Sequence, residues 1–397
     1  MRPLHVYVPH ASEMLTDYKA HGDGLIAHQT ITRLAARGHT LHVAAPRAEL
    51  QKPLPENVHL HVFEDAAGNG LADRLRYLRH ARRLLKDLRK TYPIDLVHQV
   101  NPVFSGVTLG LVGCGLPIVL GTYSARWPND PDAASAAGGI RGKLADAVRN
   151  TIAIHQQGRA DALILSSRAA LNQVPQAHLL RDRIHFIPYG IDTAIYVPTP
   201  GFDSAERLQY EQVHPSILFV ANLHRRKGIF TLIEAFATVL KQIPACRLRV
   251  IGDGGEIVNV KKLADRLGCT PQIDYLGWQV PQKTLEHYRE CTLTCVPSFG
   301  EPFGMVALEA MSCGRAVIVT RAGGLGTYVP EEGSRKVPMA DVPALAAALI
   351  DLLAHPGQRA AMGRFNRAYA QANMDWQRVI DRTETVYDTV LKRSLPR

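Results

Sequence analysis

Residues 298–314 read SFGEPFGMVALEAMSCG, with LTCVPS (293–298) before them and AVIVTRAGG (316–324) after. The leading run reads as a buried strand. Pro297 ends it, because proline has no N–H to give a sheet ladder. The trailing run reads as another strand that opens into a loop at Gly323 and Gly324. Between them a turn at EPFG opens a helix through ALEAM. Strand, loop, helix and strand in this order predict a parallel sheet with helical crossovers. Glu301 and Glu309, with seven residues between them, then lie at the carboxyl end of the first strand. Open α/β sheets place their ligands there.

The backbone N–H groups of Phe303, Gly304 and Met305 open the helix and have no intrahelical acceptor, which suits an anion such as a pyrophosphate. Gly304 lets a ligand approach the backbone closely. Glu301 precedes the helix and can accept hydrogen bonds from sugar hydroxyls. Glu309 is expected about two turns in, roughly 12 Å along the axis, within reach of a second polar part of the same ligand. The alternative is that both are ordinary: a carboxylate near a helix start is favoured by the macrodipole, and one further along is solvated.

The same rhythm runs outward from this unit. Apolar runs at 4–8, 41–45, 58–63, 95–100, 117–121, 162–166 and 184–187 alternate with helical patterns at 24–37 and 71–91. After the linker GIDTAIYVPTPG (190–201) and the less hydrophobic stretch 202–215, the rhythm restarts at SILFVAN (216–222). Strands are expected at 216–222, 246–251, 272–276, 291–296 and 315–320. This predicts two doubly wound parallel-sheet domains, residues 1–200 and 201–374, with no internal sequence repeat. A length of 397 residues suits two cores. Residues 375–392 form a final amphipathic helix with Trp376, Val379, Ile380, Val386 and Val390 on its apolar side.

Composition is ordinary for a globular chain, 46% hydrophobic and 21% charged, and no run of 18 apolar residues occurs. The start MRPLHVYVPH enters a strand pattern without a signal-like apolar region, so a cytoplasmic location is expected. None of the six cysteines forms a Cys-x-x-Cys pair, which points to free thiols in a reducing compartment and to no structural metal. The net charge of +10 favours an anionic partner: a nucleotide diphosphate, an anionic membrane surface or nucleic acid. No helix-turn-helix, zinc finger or RNA-binding aromatic motif is present, so no nucleic-acid partner is expected. No Gly-x-Ser-x-Gly occurs, which argues against a hydrolase elbow.

Other strand ends carry candidate chemistry. The loop Asn222-Leu-His-Arg-Arg-Lys-Gly228 puts Arg225, Arg226 and Lys227 before a helix, where cations can neutralise a diphosphate as charge builds on it. A solvated basic turn is the alternative. Gly252-Asp-Gly-Gly255 follows the strand LRVI; its glycines Gly252 and Gly254 serve either a ligand or any tight turn. His21-Gly22-Asp23-Gly24 opens the first helix. Its glycines suit a phosphate, whereas Asp23 suits an acceptor hydroxyl or amine, or an N-cap. In PIVLGTYSARWP (117–128), Tyr123 and Arg126 are acceptor-side candidates, with packing as the alternative. Residues 73–90 form a basic amphipathic helix: Leu71, Leu75, Leu78, Leu85 and Leu88 mark the stripe on the sheet. Arg74, Arg76, Arg79, Arg82, Arg83, Lys86, Arg89 and Lys90 crowd the other faces. Those cations are candidates for contact with anionic lipid at the inner face of a membrane.

Taken in order, these motifs resemble the retaining glycosyltransferases of family 4, which have the GT-B architecture of two Rossmann-like domains facing across a cleft. Glu301 and Glu309 look like that family's Glu-x7-Glu donor signature. FVANLHRRKGIFTLIEAF (219–236), VIGDGGE (250–256), FIPYGIDTAIYVP (186–198) and LAARGHTLHVAAP (34–46) are similar to its other segments, in the same order. The resemblance implies that Lys227 clamps the diphosphate. The family's Arg is replaced here by Asn222, leaving Arg226 or Arg225 to supply the charge. Glycines that are usually adjacent in the family are separated by Asp23, and Tyr123 stands in the segment that usually carries a donor-contacting His. The loop at Gly323–Gly324 is implied to border the donor sugar, and the last helix to return to the first domain.

The activity expected on this resemblance is metal-independent, retaining transfer of a hexosyl group from a nucleotide diphosphate sugar, most often a UDP-sugar, to an acceptor hydroxyl. No cofactor is implied. Glu301, Lys227 and Arg226 are the expected catalytic residues. Glu309, Phe303, Gly304, Met305, Asn222, Gly252 and Gly254 form the donor site, and Gly22, Asp23, Gly24, Tyr123 and Arg126 lie on the acceptor side. A nucleotide-sugar epimerase of the same architecture and a non-catalytic nucleotide-sugar binding protein are the alternatives.

Overall fold

The computed structural model describes residues 1–18, 22–68, 70–102, 106–126 and 140–394, apart from the side chains of 71, 140–146 and 394. The N-terminal half runs β1 (His5–Val8), β2 (Leu15–Thr16), α1 (Gly22–Ala36), β3 (Thr40–Ala45), β4 (Ala48–Glu49), β5 (Val58–Val62), α2 (Leu71–Leu88), β6 (Ile94–Gln99), β7 (Ile118–Tyr123), α3 (Ile140–Gly158), β8 (Ala162–Leu165) and β9 (Ile184–Phe186). The C-terminal half runs α4 (Ala205–Val213), β10 (Ser216–Val220), α5 (Ile229–Leu240), β11 (Arg247–Ile251), α6 (Ile257–Arg266), β12 (Ile273–Gly277), α7 (Pro281–Glu290), β13 (Leu293–Val296), α8 (Met305–Ser312), β14 (Val317–Thr320), α9 (Gly323–Tyr328), β15 (Ser334–Val337), α10 (Val342–Ala354), α11 (Pro356–Tyr369) and α12 (Trp376–Ser394).

Strands in the first sheet lie in the order β5-β3-β1-β6-β7-β8-β9, and those in the second in the order β12-β11-β10-β13-β14-β15. Every pairing between them is parallel. Each sheet starts in its middle and winds outward both ways, so strand order reverses between β1 and β6 and again between β10 and β13. Such reversal points open a crevice at the carboxyl ends of the strands, because the two adjoining loops leave in opposite directions.

The inner strands, such as β3, β8, β13 and β14, are buried on both faces, as parallel sheets require, and the outer strands β5, β9 and β12 are half-buried. Phe219, Leu248, Leu293 and Ile318 form one core with Leu232, Phe236 and Leu349 from helices. Val6, Leu41, Leu96 and Val119 form another, and Trp376, Val379, Ile380, Val386, Tyr387 and Val390 of α12 join it. The last helix is thus part of the N-terminal core. Tyr387 bonds His98 Nδ1 at 2.6 Å, and His39 Nε2 lies 3.0 Å from Glu384. The chain crosses between cores twice. Ile187 packs in the N-terminal core and Ile191 in the C-terminal one, while Met374 packs in the C-terminal core and Trp376 in the N-terminal one. The crossings lie side by side: Ile191 N–H donates to Met374 O at 2.8 Å, and Trp376 N–H donates to Ile191 O at 3.1 Å.

Three expectations change in detail. Helix α8 starts at Met305, so Glu309 lies one turn in, roughly 6 Å by helix rise, and not two turns. The buried stripe of α2 is Tyr77, Ala81, Leu85 and Leu88, while Leu75 is 46% exposed. Tyr77 draws the helix round by donating its hydroxyl to Pro9 O at 3.0 Å. The edge strand β15 lies outside the expected strands, because SRKV carries two cations and no apolar run. No helix among the described residues is long and apolar enough to cross a membrane.

Candidate functional site

The loops after β10 and β13 meet at the reversal point of the C-terminal sheet. Lys227 Nζ lies 2.6 Å from Glu301 Oε2, with the two side chains 20% and 13% exposed. Local chain geometry makes this meeting possible. Residues Arg225–Lys227 form a single 3-10 turn that ends at Gly228 with φ +75°. A Cβ there would stand 2.0 Å from Pro297 O, so glycine alone lets the basic loop lie against the end of β13. Phe299 N–H then donates to Arg226 O at 2.7 Å and stitches the loops together.

The three cations diverge. Lys227 faces Glu301, whereas Arg225 is exposed, pairs with Glu256 at 3.2 Å and lies over the Phe230 ring. Arg226, between them in the chain, is held through its backbone carbonyl by Phe299.

A third loop fixes Glu301 from behind. Gly324 N–H donates to Glu301 O at 2.7 Å, and Cβ atoms on Gly323 and Gly324 would fall 2.4 Å from Glu301 O and 2.3 Å from Pro302 O. Gly304, at φ +93°, caps α8. A Cβ on it would meet Leu325 Cδ2 at 2.5 Å and Glu301 Cγ at 3.1 Å. Its glycine is therefore demanded by the protein's own packing, not by an open approach for a ligand. The Phe303 side chain is likewise packing: it stacks on Tyr328 at 4.2 Å and meets Tyr189 edge-on at 4.8 Å. What these residues offer a ligand is main chain, since the amides that open α8 precede the first intrahelical bond, in which Ala307 N–H donates to Gly304 O at 3.1 Å.

Glu309 is enclosed by two tyrosines that sequence reasoning missed. Tyr288 donates to its Oε2 at 2.7 Å, and Tyr196 bonds it as well. Burial raises the pKa of the carboxyl, and the two hydroxyls pull it back down by hydrogen-bonding the charged form. Both tyrosines are themselves pushed up, Tyr288 chiefly by burial and Tyr196 chiefly by the charge of Glu309, so they remain donors.

Asn222, Gly252 and Gly254 sit together where β10 and β11 end. Cβ atoms on Gly252 and Gly254 would fall 2.0 Å from Ala221 O and 2.5 Å from Asn222 Oδ1. Leu223 N–H donates to Asp253 O at 2.8 Å, so these glycines serve loop-to-loop contact.

On the N-terminal side, Asp23 is the second residue of α1 and so is not its N-cap; a carboxylate in the first turn suits the helix dipole. A Cβ on Gly24 would reach Met14 O at 2.1 Å, whereas nothing lies within 4 Å of one on Gly22. His21, Trp127 and Pro128 lie outside the described residues. Tyr123 is half-buried. Its ring packs among the apolar residues along β7 and β8, and burial raises its pKa, with Gln157 as its hydrogen-bond partner. Arg126 is turned aside too: its guanidinium holds Gln173 Oε1 at 3.2 Å, and its backbone pairs with Asn172. The segment still touches the C-terminal site, because Ala125 N–H donates to Pro302 O at 3.3 Å. Beside it Tyr189, also missed, bonds Ser124 and lies near Asp23 while its ring meets Phe303. The signal for these tyrosines was weak: Tyr189 and Tyr196 stand in the linker motif, but nothing in sequence gives their partners.

Comparison with known proteins bears on the family and the fold. Residues 206–369 match Glycosyl transferases group 1, and residues 22–195 match Glycosyltransferase Family 4. The chain belongs to glycosyltransferase family 4, and its fold is GT-B. Among its relatives is the D-inositol 3-phosphate glycosyltransferase of Acidothermus cellulolyticus, 32% identical over 250 residues, which are 59% of this chain and 56% of that protein. The match thus spans little more than half the length of that relative. Among solved structures, sucrose-phosphate synthase from Thermosynechococcus elongatus has TM-score 0.73 at 23% identity, covering 99% of this chain and 100% of the other. Anabaena HepE in complex with UDP has TM-score 0.71 at 19% identity, with coverage of 99% and 100%.

Proposed function

We propose that this protein transfers a glycosyl group from a UDP-sugar to an acceptor hydroxyl, with retention at the anomeric carbon. The observation that carries the reading is the Lys227–Glu301 pair at the reversal point of the C-terminal sheet. The paired cation and carboxylate match the two parts of such a donor, its diphosphate and its sugar. The names of the relatives support glycosyl transfer, and the UDP in a structural neighbour supports this class of donor.

In this reading residues 201–374 hold the donor and residues 1–200 present the acceptor. Lys227 and Arg226 meet the diphosphate with the main-chain amides of Phe303, Gly304 and Met305. Glu301 receives sugar hydroxyls, and Glu309, held by Tyr288 and Tyr196, receives the ribose diol. The bond from the anomeric carbon to the diphosphate oxygen breaks and the bond to the acceptor oxygen forms on the same face. The acceptor proton passes to the departing phosphate. Charge on that phosphate is met by Lys227, Arg226 and amides that are already oriented, which is where preorganised donors lower a barrier most. No metal enters the scheme, so EDTA leaves the rate unchanged.

Thermal-shift titration with UDP, GDP and ADP, followed by UDP-release assays on UDP-sugars with hydroxyl acceptors, tests the proposal. UDP should raise the Tm most, since a ligand stabilises the fold it binds. No shift with any nucleotide would overturn the reading. So would isomerisation of the donor sugar without an acceptor.

A further inference from the structure

We infer a second anion site, for a phosphate-bearing group, in a cavity on the flank of the N-terminal sheet. The cavity measures about 610 Å³ and lies between α2 and the turn that follows β6; Arg79, Arg82, Arg83, Lys86, Arg89 and Cys114 line it. Topology sets it apart from the donor loops. Helix α2 leaves the carboxyl end of β5 and runs back to the amino end of β6, so its last turns lie toward the opposite edge of the sheet from the loops that carry ligands.

The five cations are spaced along the helix at intervals of three and four, which places them on one face. All five are exposed. Arg89 is anchored, donating to Cys114 O at 2.7 Å, and so ties the helix to the opposite wall. Among the described residues, Arg79, Arg82, Arg83 and Lys86 make no hydrogen bond or ion pair. The acid that feels Arg83 and Lys86 is Asp87, and its strongest partner is Lys90. At the other end of α2, by contrast, Arg76 is paired with Asp73. Like charges at these spacings repel and weaken a helix. A multivalent anion in the cavity removes that repulsion.

The floor is apolar, with Leu85, Leu111 and Val112, and the turn opposite is open, since nothing lies within 4 Å of a Cβ on Gly113. Cationic walls over an apolar floor suit a phosphate attached to a less polar body. A lipid headgroup and a soluble polyphosphate share that chemistry.

The test uses the full chain at low salt with two probes. One is inorganic tripolyphosphate, followed by calorimetry. The other is flotation with phosphatidylcholine vesicles, with and without phosphatidic acid. Arg82→Gln/Lys86→Gln should bind the preferred probe roughly thirtyfold more weakly, at ~1 kcal/mol for each cation removed. Arg79→Gln/Arg83→Gln, on the same face, should behave alike. With UDP added to fill the donor loops, Lys227→Ala should bind either probe as the wild type does, which separates this site from those loops. Tripolyphosphate binding names a soluble ligand, and flotation with phosphatidic acid alone names a lipid. Undiminished binding by both double variants, loss in Lys227→Ala instead, or no binding of either probe would overturn the inference. Each double variant should melt no lower than the wild type, because it relieves like-charge contacts.

Discussion

At its reversal point the C-terminal sheet joins β10 to β13, and the N-terminal sheet joins β1 to β6. The first of these points holds Lys227 and Glu301, both partly open to solvent. At the second, His10 is wholly buried, its Nδ1 lies 3.4 Å from Asn101 O, and the Tyr77 ring packs edge-on at 5.4 Å. Identical winding therefore makes two crevices, and side chains decide their fate. A charged pair stands at one, while an imidazole and a phenol pack together at the other. Winding order locates a place for chemistry; it does not supply the chemistry.

The sharpest way to break this contrast is to remove the charge. Lys227→Ala should lower kcat by about 10²–10³, or about 2.7–4 kcal/mol, if Lys227 acts as one preorganised donor. The initial rate of UDP release measures it. Wild-type turnover would mean that the C-terminal crevice is no more chemical than its counterpart.

Acid should strain the two halves unequally. Burial is the first cause that holds His10, His42 and His98 down to about 4, and all three lie in the N-terminal half. For His42 the neighbouring His59, His61 and His5 add to the effect. Below about pH 6.5 the unfolded chain takes up protons at these sites and the folded chain does not. Stability should therefore be steady above that value and fall as the pH drops from about 6.5 to about 4. Urea midpoints across this window measure the fall. Hydrogen exchange should show the N-terminal strands losing protection first, and earlier loss in β10–β14 would contradict the assignment.

Two substitutions probe the C-terminal crevice more finely. Tyr288→Phe removes a hydroxyl bonded to a buried carboxylate and should cost about 1.5–3 kcal/mol in urea unfolding. Nucleotide affinity should weaken as well if Glu309 holds the ribose, and an unchanged Kd for UDP would detach Glu309 from that role. Gly228→Ala puts a side chain where φ is +75° and a carbonyl stands 2.0 Å away. It should cost about 1–3 kcal/mol from backbone strain, and its effect on UDP release should exceed what that loss alone explains.

Much of the fold could be read from the chain because each parallel strand announces itself as a short apolar run. β10 through β14 fall within a residue or two of their expected limits. β15 escaped because Arg335 and Lys336 mask it, and Tyr387 escaped because its partner, His98, is 289 residues away. Within the site, residue type and strand-end position were enough to single out Lys227 and Glu301. Direction was not legible. Tyr123 and Arg126 belong to the right segment, yet their side chains turn toward Gln157 and Gln173, contacts that no local pattern encodes. The glycines were ambiguous for a related reason, since a sequence cannot show whether the space beside a glycine is empty, as at Gly22, or taken by the protein's own carbonyl, as at Gly252.

The paired crossings at Ile191 and Asp375 have a mechanical consequence. Thr193 Oγ1 donates to Asp375 Oδ2 at 2.6 Å, and the turn Ala370–Met374 just before it is π-helical, one residue wider than its neighbours. Both covalent links are thus clasped at one spot, like two leaves on a single pin. A second tether lies away from that pin, where Ala125 N–H donates to Pro302 O at 3.3 Å, so a load on either half is shared between the two points.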